Sequence, residues 1–92
     1  NCTIKNVICM GGSGIDLVAV RYSILDKVSS SNNYGGLTIF KYSCNNIIRN
    51  SKFSNNLHNG ISVLFGDGLI ITNCTFADNG EYGVYLGGGG YL

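Results

Sequence analysis

The chain has 92 residues, room for one small domain. Charged side chains make up only 12% of it, six Lys and Arg against five Asp and Glu. A net charge of +1 argues against nucleic-acid binding, which needs a basic face to displace counterions from phosphates. No apolar run approaches the ~20 residues of a bilayer-spanning helix, the longest patches being of the kind Val18-Ala19-Val20 and Leu69-Ile70-Ile71.

Asn1 is not a start methionine, and no basic stretch followed by an apolar one opens the chain. The expectation is a piece of a longer chain, with any export signal removed or outside it. Asn1-Cys2-Thr3-Ile4 reads as the tail of a repeat unit. Gly14-Ile15-Asp16-Leu17 then opens a pattern that returns as Gly36-Leu37-Thr38-Ile39, Gly60-Ile61-Ser62-Val63 and Gly83-Val84-Tyr85-Leu86, at steps of 22, 24 and 23 residues. A second marker keeps step with it: Asn50-Ser51-Lys52-Phe53 matches Asn73-Cys74-Thr75-Phe76. A third, Ile24, Ile48 and Ile71, stands two residues before Asp26, Asn50 and Asn73. In the coil beginning at Gly14, Val28 and Ser29 compete for the Phe place, which implies a one-residue slip.

Within each copy apolar residues alternate over short spans, the two-residue period of a strand, and no helical period persists. Clusters such as Ser54-Asn55-Asn56, Gly66-Asp67-Gly68 and Ala77-Asp78-Asn79-Gly80 supply turns. Such a unit cannot close a core alone; stacked on its neighbours it pairs strand to equivalent strand in parallel. The predicted fold is all-β, a parallel β-solenoid over residues 1–92. Its coils start near Gly14, Gly36, Gly60 and Gly83, three complete coils plus partial ends, each of two or three strands of about four residues. Asn50, Asn73, Asn1 and Asp26 are expected as an inward column of stacked amides at one corner. Phe53, Phe76 and Ile4 are expected as a core column.

Over residues 14 to 86, Gly-apolar-x-apolar followed by Asn-Ile-Ile-x-Asn-Ser-x-Phe and Asn-Asn before the next Gly resembles right-handed parallel β-helix repeats. Those repeats occur in carbohydrate-binding proteins and sugar hydrolases, NosD-like periplasmic proteins and pectate-lyase-like enzymes. The resemblance implies a right-handed coil and a secreted, periplasmic or cell-surface protein acting on or among polysaccharides. It implies no particular activity, because the fold also serves phage tailspikes and adhesins that cut nothing. Gly14-Ile15-Asp16 matches only the opening of an alginate-epimerase signature. His58-Asn59-Gly60-Ile61-Ser62 is similar to the His-Gly-Ile-Ser of polygalacturonases, but an Asn interrupts it and the paired aspartates are missing. Gly11 to Ala19 fits one RTX-type nonapeptide, which would place calcium at Asp16; the next nine residues break the tandem repeat that shared calcium requires. No other metal or cofactor is expected.

Alternation turns Asp16, Thr38, Ser62 and Tyr85 outward in successive coils, with Tyr34, His58, Glu81 and Tyr82 at the turn entering that strand. Aromatic, hydroxyl and carboxylate groups in a row suit a sugar surface. They also suit an ordinary solvated strand face. If the row is catalytic, hydrolysis needs carboxyls about 5 to 9.5 Å apart; Asp16 and Glu81 are three coils or about 14 Å apart, and Asp78 with Glu81 is nearer but on a turn. Uronate lyase or epimerase chemistry needs a base and a cation; His58 or Tyr82 could be the base and Lys41 the neutraliser. The four cysteines offer no bridge: Cys2 and Cys74 share a phase three coils apart, Cys9 and Cys44 lie at different phases, and buried free thiols are expected. Asn1 and Asn73 are formal glycosylation acceptors, and an inward column would keep both free of sugar. The expected function is a polysaccharide-binding or polysaccharide-modifying module, with flanking coils or caps in the full chain. The alternative is a non-catalytic coil stack of a fibre, tailspike or surface protein.

Overall fold

The computed structural model describes residues 1–40, 42–64 and 66–87. The chain winds through four coils. The first holds β1 (Thr3–Lys5), β2 (Ile8–Met10) and β3 (Ile15–Leu17); the second holds β4 (Ile24–Asp26), β5 (Ser29–Ser31), β6 (Leu37–Ile39) and β7 (Ser43–Cys44). The third holds β8 (Ile47–Arg49), β9 (Lys52–Ser54), β10 (Ile61–Val63) and β11 (Gly66–Asp67); the fourth holds β12 (Ile70–Thr72), β13 (Thr75–Ala77) and β14 (Val84–Leu86). Equivalent strands pair in parallel into three four-stranded sheets: β1-β4-β8-β12, β2-β5-β9-β13 and β3-β6-β10-β14, here the first, second and third. β7 and β11 add a short two-stranded one. Each coil has three strands of three residues, and the second and third coils add a two-residue strand, where two or three strands of about four residues were expected. The extents are 27 × 27 × 22 Å, so the stack is nearly as wide as it is tall.

The glycine repeat has a steric origin. Gly14, Gly36, Gly60 and Gly83 stand immediately before the strands of the third sheet, where Ile15 N–H donates to Gly36 C=O (3.1 Å), Leu37 N–H to Gly60 C=O (2.9 Å) and Ile61 N–H to Gly83 C=O (2.9 Å). A Cβ at Gly36 would run into the Gly60 carbonyl and the Asn56 amide. Only glycine lets the coils approach there.

The core lies between the three sheets. One column is Ile4, Leu25, Ile48 and Ile71; Leu17, Ile39 and Val63 form another in the third sheet. Phe53 is fully buried and its ring stacks on Phe76 at 5.6 Å and 14°. Ile4 therefore belongs to the isoleucine and leucine column, and Leu25, not Ile24, is its member in the second coil. The Phe column continues through Ser30 and Cys9, so neither Val28 nor Ser29 takes the Phe place. Buried Ser30 Oγ donates to Gly36 C=O at 2.7 Å, which satisfies the hydroxyl that stands in the Phe column.

The amide column is corrected as well. Asn50 aligns with Lys27 and Asn73 through Lys27 N–H to Arg49 C=O and Asn50 N–H to Thr72 C=O, and with Asn6 through Asn6 N–H to Asp26 C=O. Asn6, Lys27, Asn50 and Asn73 all have φ between 48° and 56°. A left-handed residue turns the chain from the first sheet into the second, which is why Asn recurs there. Asn50 and Asn73 are exposed, yet they still bond along the stack: Asn73 Nδ2 donates to Asn50 Oδ1 (2.7 Å) and Asn50 Nδ2 to Asp26 Oδ1 (3.0 Å). Asp26 sits one residue earlier, buried, beside Arg49 (3.6 Å) and Lys5 (4.0 Å). The Asn50 hydrogen bond and, less strongly, the Arg49, Lys5 and Lys27 charges hold its carboxyl below the ordinary range against the opposing effect of burial.

The inward amide column is Asn33, Asn56 and Asn79, and a further buried amide, Asn46, accepts the Ser23 N–H and donates to Val20 C=O. Asn33 N–H donates to Asn56 Oδ1 and Asn56 N–H to Asn79 Oδ1, while Nδ2 of the three donates to the carbonyls of Cys9, Ser30 and Phe53. Among the described residues every buried side-chain N or O atom has a partner.

Cys2 aligns with Ser23, whose Oγ accepts its N–H, and Cys74 aligns with Ser51. The two cysteines do not share a phase. All four are free, with Cys2 exposed and Cys9, Cys44 and Cys74 half-buried. Burial pushes the Cys74 thiol up, which leaves it a protonated donor to Thr72 C=O at 3.2 Å. Asn1 is exposed, like Asn73, so the inward geometry that would have kept both from carrying sugar does not exist.

Candidate functional site

The third sheet sets the outer row. Its pairing aligns Asp16 with Thr38, Thr38 with Ser62 and Ser62 with Tyr85. Their neighbours Ile15, Leu37, Ile39, Ile61 and Val63 point into the core, so the row faces outward by strand alternation. Asp16 and Tyr85 are exposed; Thr38 and Ser62 are half-buried. Ser62 Oγ accepts a hydrogen bond from Asn59 Nδ2 (2.9 Å), and Asn59 Oδ1 accepts the Tyr82 N–H (3.0 Å). That network ties the row to the adjoining turn.

Tyr34, His58 and Glu81 form a second column beside it. His58 N–H donates to Tyr34 C=O and Glu81 N–H to His58 C=O (2.9 and 2.8 Å). The Tyr34 and His58 rings lie 4.2 Å apart, tilted by 57°. On its other side the His58 Nδ1 contacts Glu81 Oε1. An imidazole whose Nδ1 is engaged by a carboxylate is fixed in orientation and keeps Nε2 for a further contact. Tyr82, one residue on, stacks on Tyr85 with centroids 5.9 Å apart and an interplanar angle of 23°. Tyr34 and Tyr82 remain more than half exposed, at 61% and 57%.

Eight of the nine predicted site residues are thus on one face. The ninth, Lys41, lies outside the described residues. By strand register Asp16 and Glu81 are three coil steps apart, about 14 Å by the coil rise.

A neighbouring groove escaped the sequence reading. It is a shallow, open depression of about 450 Å³ lined by Asn32, Asn33, Asn55, Asn56, Leu57, Asp78 and Gly80. Asn32, Asn55 and Asp78 are left-handed corner residues with φ of 54° to 57°. Each coil leaves the second sheet through such a corner, which stacks polar side chains beside the Tyr34 column. Leu57, 64% exposed, is the groove's apolar element. The signal was present as the 23-residue step from Asn32 to Asn55 to Asp78, but turn chemistry alone accounts for those residue types. No group of three or more His, Cys, Asp or Glu able to hold a metal ion occurs among the described residues. Nor is any helix long and apolar enough to cross a membrane among them.

No curated protein and no solved structure matches the chain. The family model described as right handed beta helix region matches residues 1–91. Pairing of equivalent strands over four coils and this match across nearly the whole length agree, and the chain belongs to the right-handed β-helix family.

Proposed function

We propose that this chain is a polysaccharide-binding module of a secreted, periplasmic or surface protein, and that the glycan lies along the outer face of the third sheet. The supporting observation is two aromatic pairs at the surface, the tilted Tyr34–His58 and the stacked Tyr82–Tyr85, beside an amide-lined groove. Aromatic faces stack on the apolar faces of sugar rings, while amide and hydroxyl groups exchange hydrogen bonds with sugar hydroxyls. Strand pairing holds both features at a fixed spacing, which lowers the entropic cost of binding.

The test is affinity electrophoresis of the folded protein through gels carrying different polysaccharides. Retardation by at least one polymer, weakened about tenfold or more in Tyr82→Ala and Tyr85→Ala, is expected for one stacking platform. A polysaccharide-modifying activity would use His58 as base, oriented by Glu81. On uronates it would release unsaturated product whose ultraviolet absorbance disappears in His58→Ala. Absence of retardation by every polymer would favour a non-catalytic coil stack. That reading is supported by the separation of the carboxylates Asp16 and Glu81, which are too far apart for a hydrolase pair.

A further inference from the structure

Charge is segregated around the stack. Lys5, Arg49 and Lys27 gather round Asp26 on and beside the first sheet, Lys52 stands on β9 of the second sheet, and Arg21, bridged to Cys44 of β7, donates from Nε to Tyr42 C=O. The third-sheet face carries Asp16 and Glu81, both exposed, and no Lys or Arg among the described residues. We infer that this face selects uncharged polysaccharides and discriminates against uronate polymers. The inference rests on the polysaccharide-binding reading and adds the substrate class.

Asp16 lies in the first coil and Glu81 in the fourth, about 14 Å apart along the axis. Any point between them is therefore within about 7 Å, measured axially, of one carboxylate. That is inside the screening length of about 8 Å at physiological salt. A uronate chain laid on the row carries a carboxylate on every sugar, so it cannot avoid like-charge contact wherever it sits. The His58 imidazole meets Glu81 through Nδ1 and offsets part of that carboxylate, so the repulsion falls mainly on Asp16, which has no ion-pair partner among the described residues. A neutral sugar meets none of this repulsion, and Asp16, Thr38 and the groove amides Asn32 and Asn55 can accept from or donate to its hydroxyls.

The experiment compares a neutral glucan, a neutral galactan and polygalacturonate of matched length by affinity electrophoresis and calorimetry, at low and at high salt. A neutral polymer should bind at least about tenfold more tightly than polygalacturonate at low salt, the scale of one surface carboxylate encounter. The gap should narrow at high salt. Asp16→Asn with Glu81→Gln should raise polygalacturonate affinity several-fold relative to the neutral polymer, about the factor expected from removing two nearby like charges. Equal or tighter binding of polygalacturonate would overturn the inference while leaving the binding reading intact. So would polygalacturonate binding that vanished in Lys41→Ala, because a cation would then be serving the face. Binding to no polymer by protein with an intact β circular-dichroism spectrum would overturn both.

Discussion

Two columns of side-chain amides run along the stack and show how differently one residue type is used. Asn33, Asn56 and Asn79 turn inward and bond the backbone of the preceding coil through both amide atoms. Asn50 and Asn73 occupy left-handed corners, exposed, and their side chains bond each other and Asp26. Both columns keep a 23-residue step. The inner one satisfies backbone groups cut off from water, where an unmade hydrogen bond costs most. The outer one competes with solvent, and its main contribution is the conformation that Asn tolerates at positive φ.

Substitutions separate the two. The scale of the core beside the inner column is set by Phe53→Ala, expected to cost about 3 to 5 kcal/mol in urea unfolding because Phe53 is fully buried against Phe76. Asn56→Ala should cost about 3 kcal/mol, since it strands the Asn33 N–H, the Ser30 carbonyl and a bond to Asn79 Oδ1. Asn50→Ala should cost only about 1 kcal/mol, and Asn50→Gly close to none, because glycine adopts the left-handed corner freely. Equal losses at Asn50 and Asn56 by the same measurement would erase the distinction drawn between the columns.

The smallest effect is a pH dependence centred on Asp26. Its folded-state carboxyl lies below its ordinary value, chiefly through the Asn50 hydrogen bond. The stability it contributes is therefore fully present above the unfolded value of about 3.9 and is lost as pH falls through the lowered folded value. Asp26→Asn should flatten the acid side of a stability curve, and Asn50→Ala should flatten it in part. An acid limb unchanged in Asp26→Asn would show that the outer column carries no electrostatic share.

Much of the architecture was legible because repetition in sequence becomes stacking in space. The glycines at Gly14, Gly36, Gly60 and Gly83 placed the third sheet in register, and with it the row Asp16, Thr38, Ser62 and Tyr85. Phe53 and Phe76 were paired for the same reason. The second coil was misphased because Ser29-Ser30-Ser31 carries no apolar mark, and buried Ser30 fills the Phe place by bonding Gly36. Asn was assigned to the wrong column because the same residue serves an inward ladder and a left-handed corner. Local composition does not distinguish the two uses.

For the site, the sequence by itself determined the period, the coil and which side chains share a face, since a fixed repeat and two-residue alternation leave no freedom in those. Only the tertiary structure decided that His58 lies between Tyr34 and Glu81, that Tyr82 meets Tyr85, and that corner asparagines wall a groove. Those contacts depend on rotamers and on the offset between coils. The spacing in sequence specifies which residues become neighbours, and packing specifies which atoms meet.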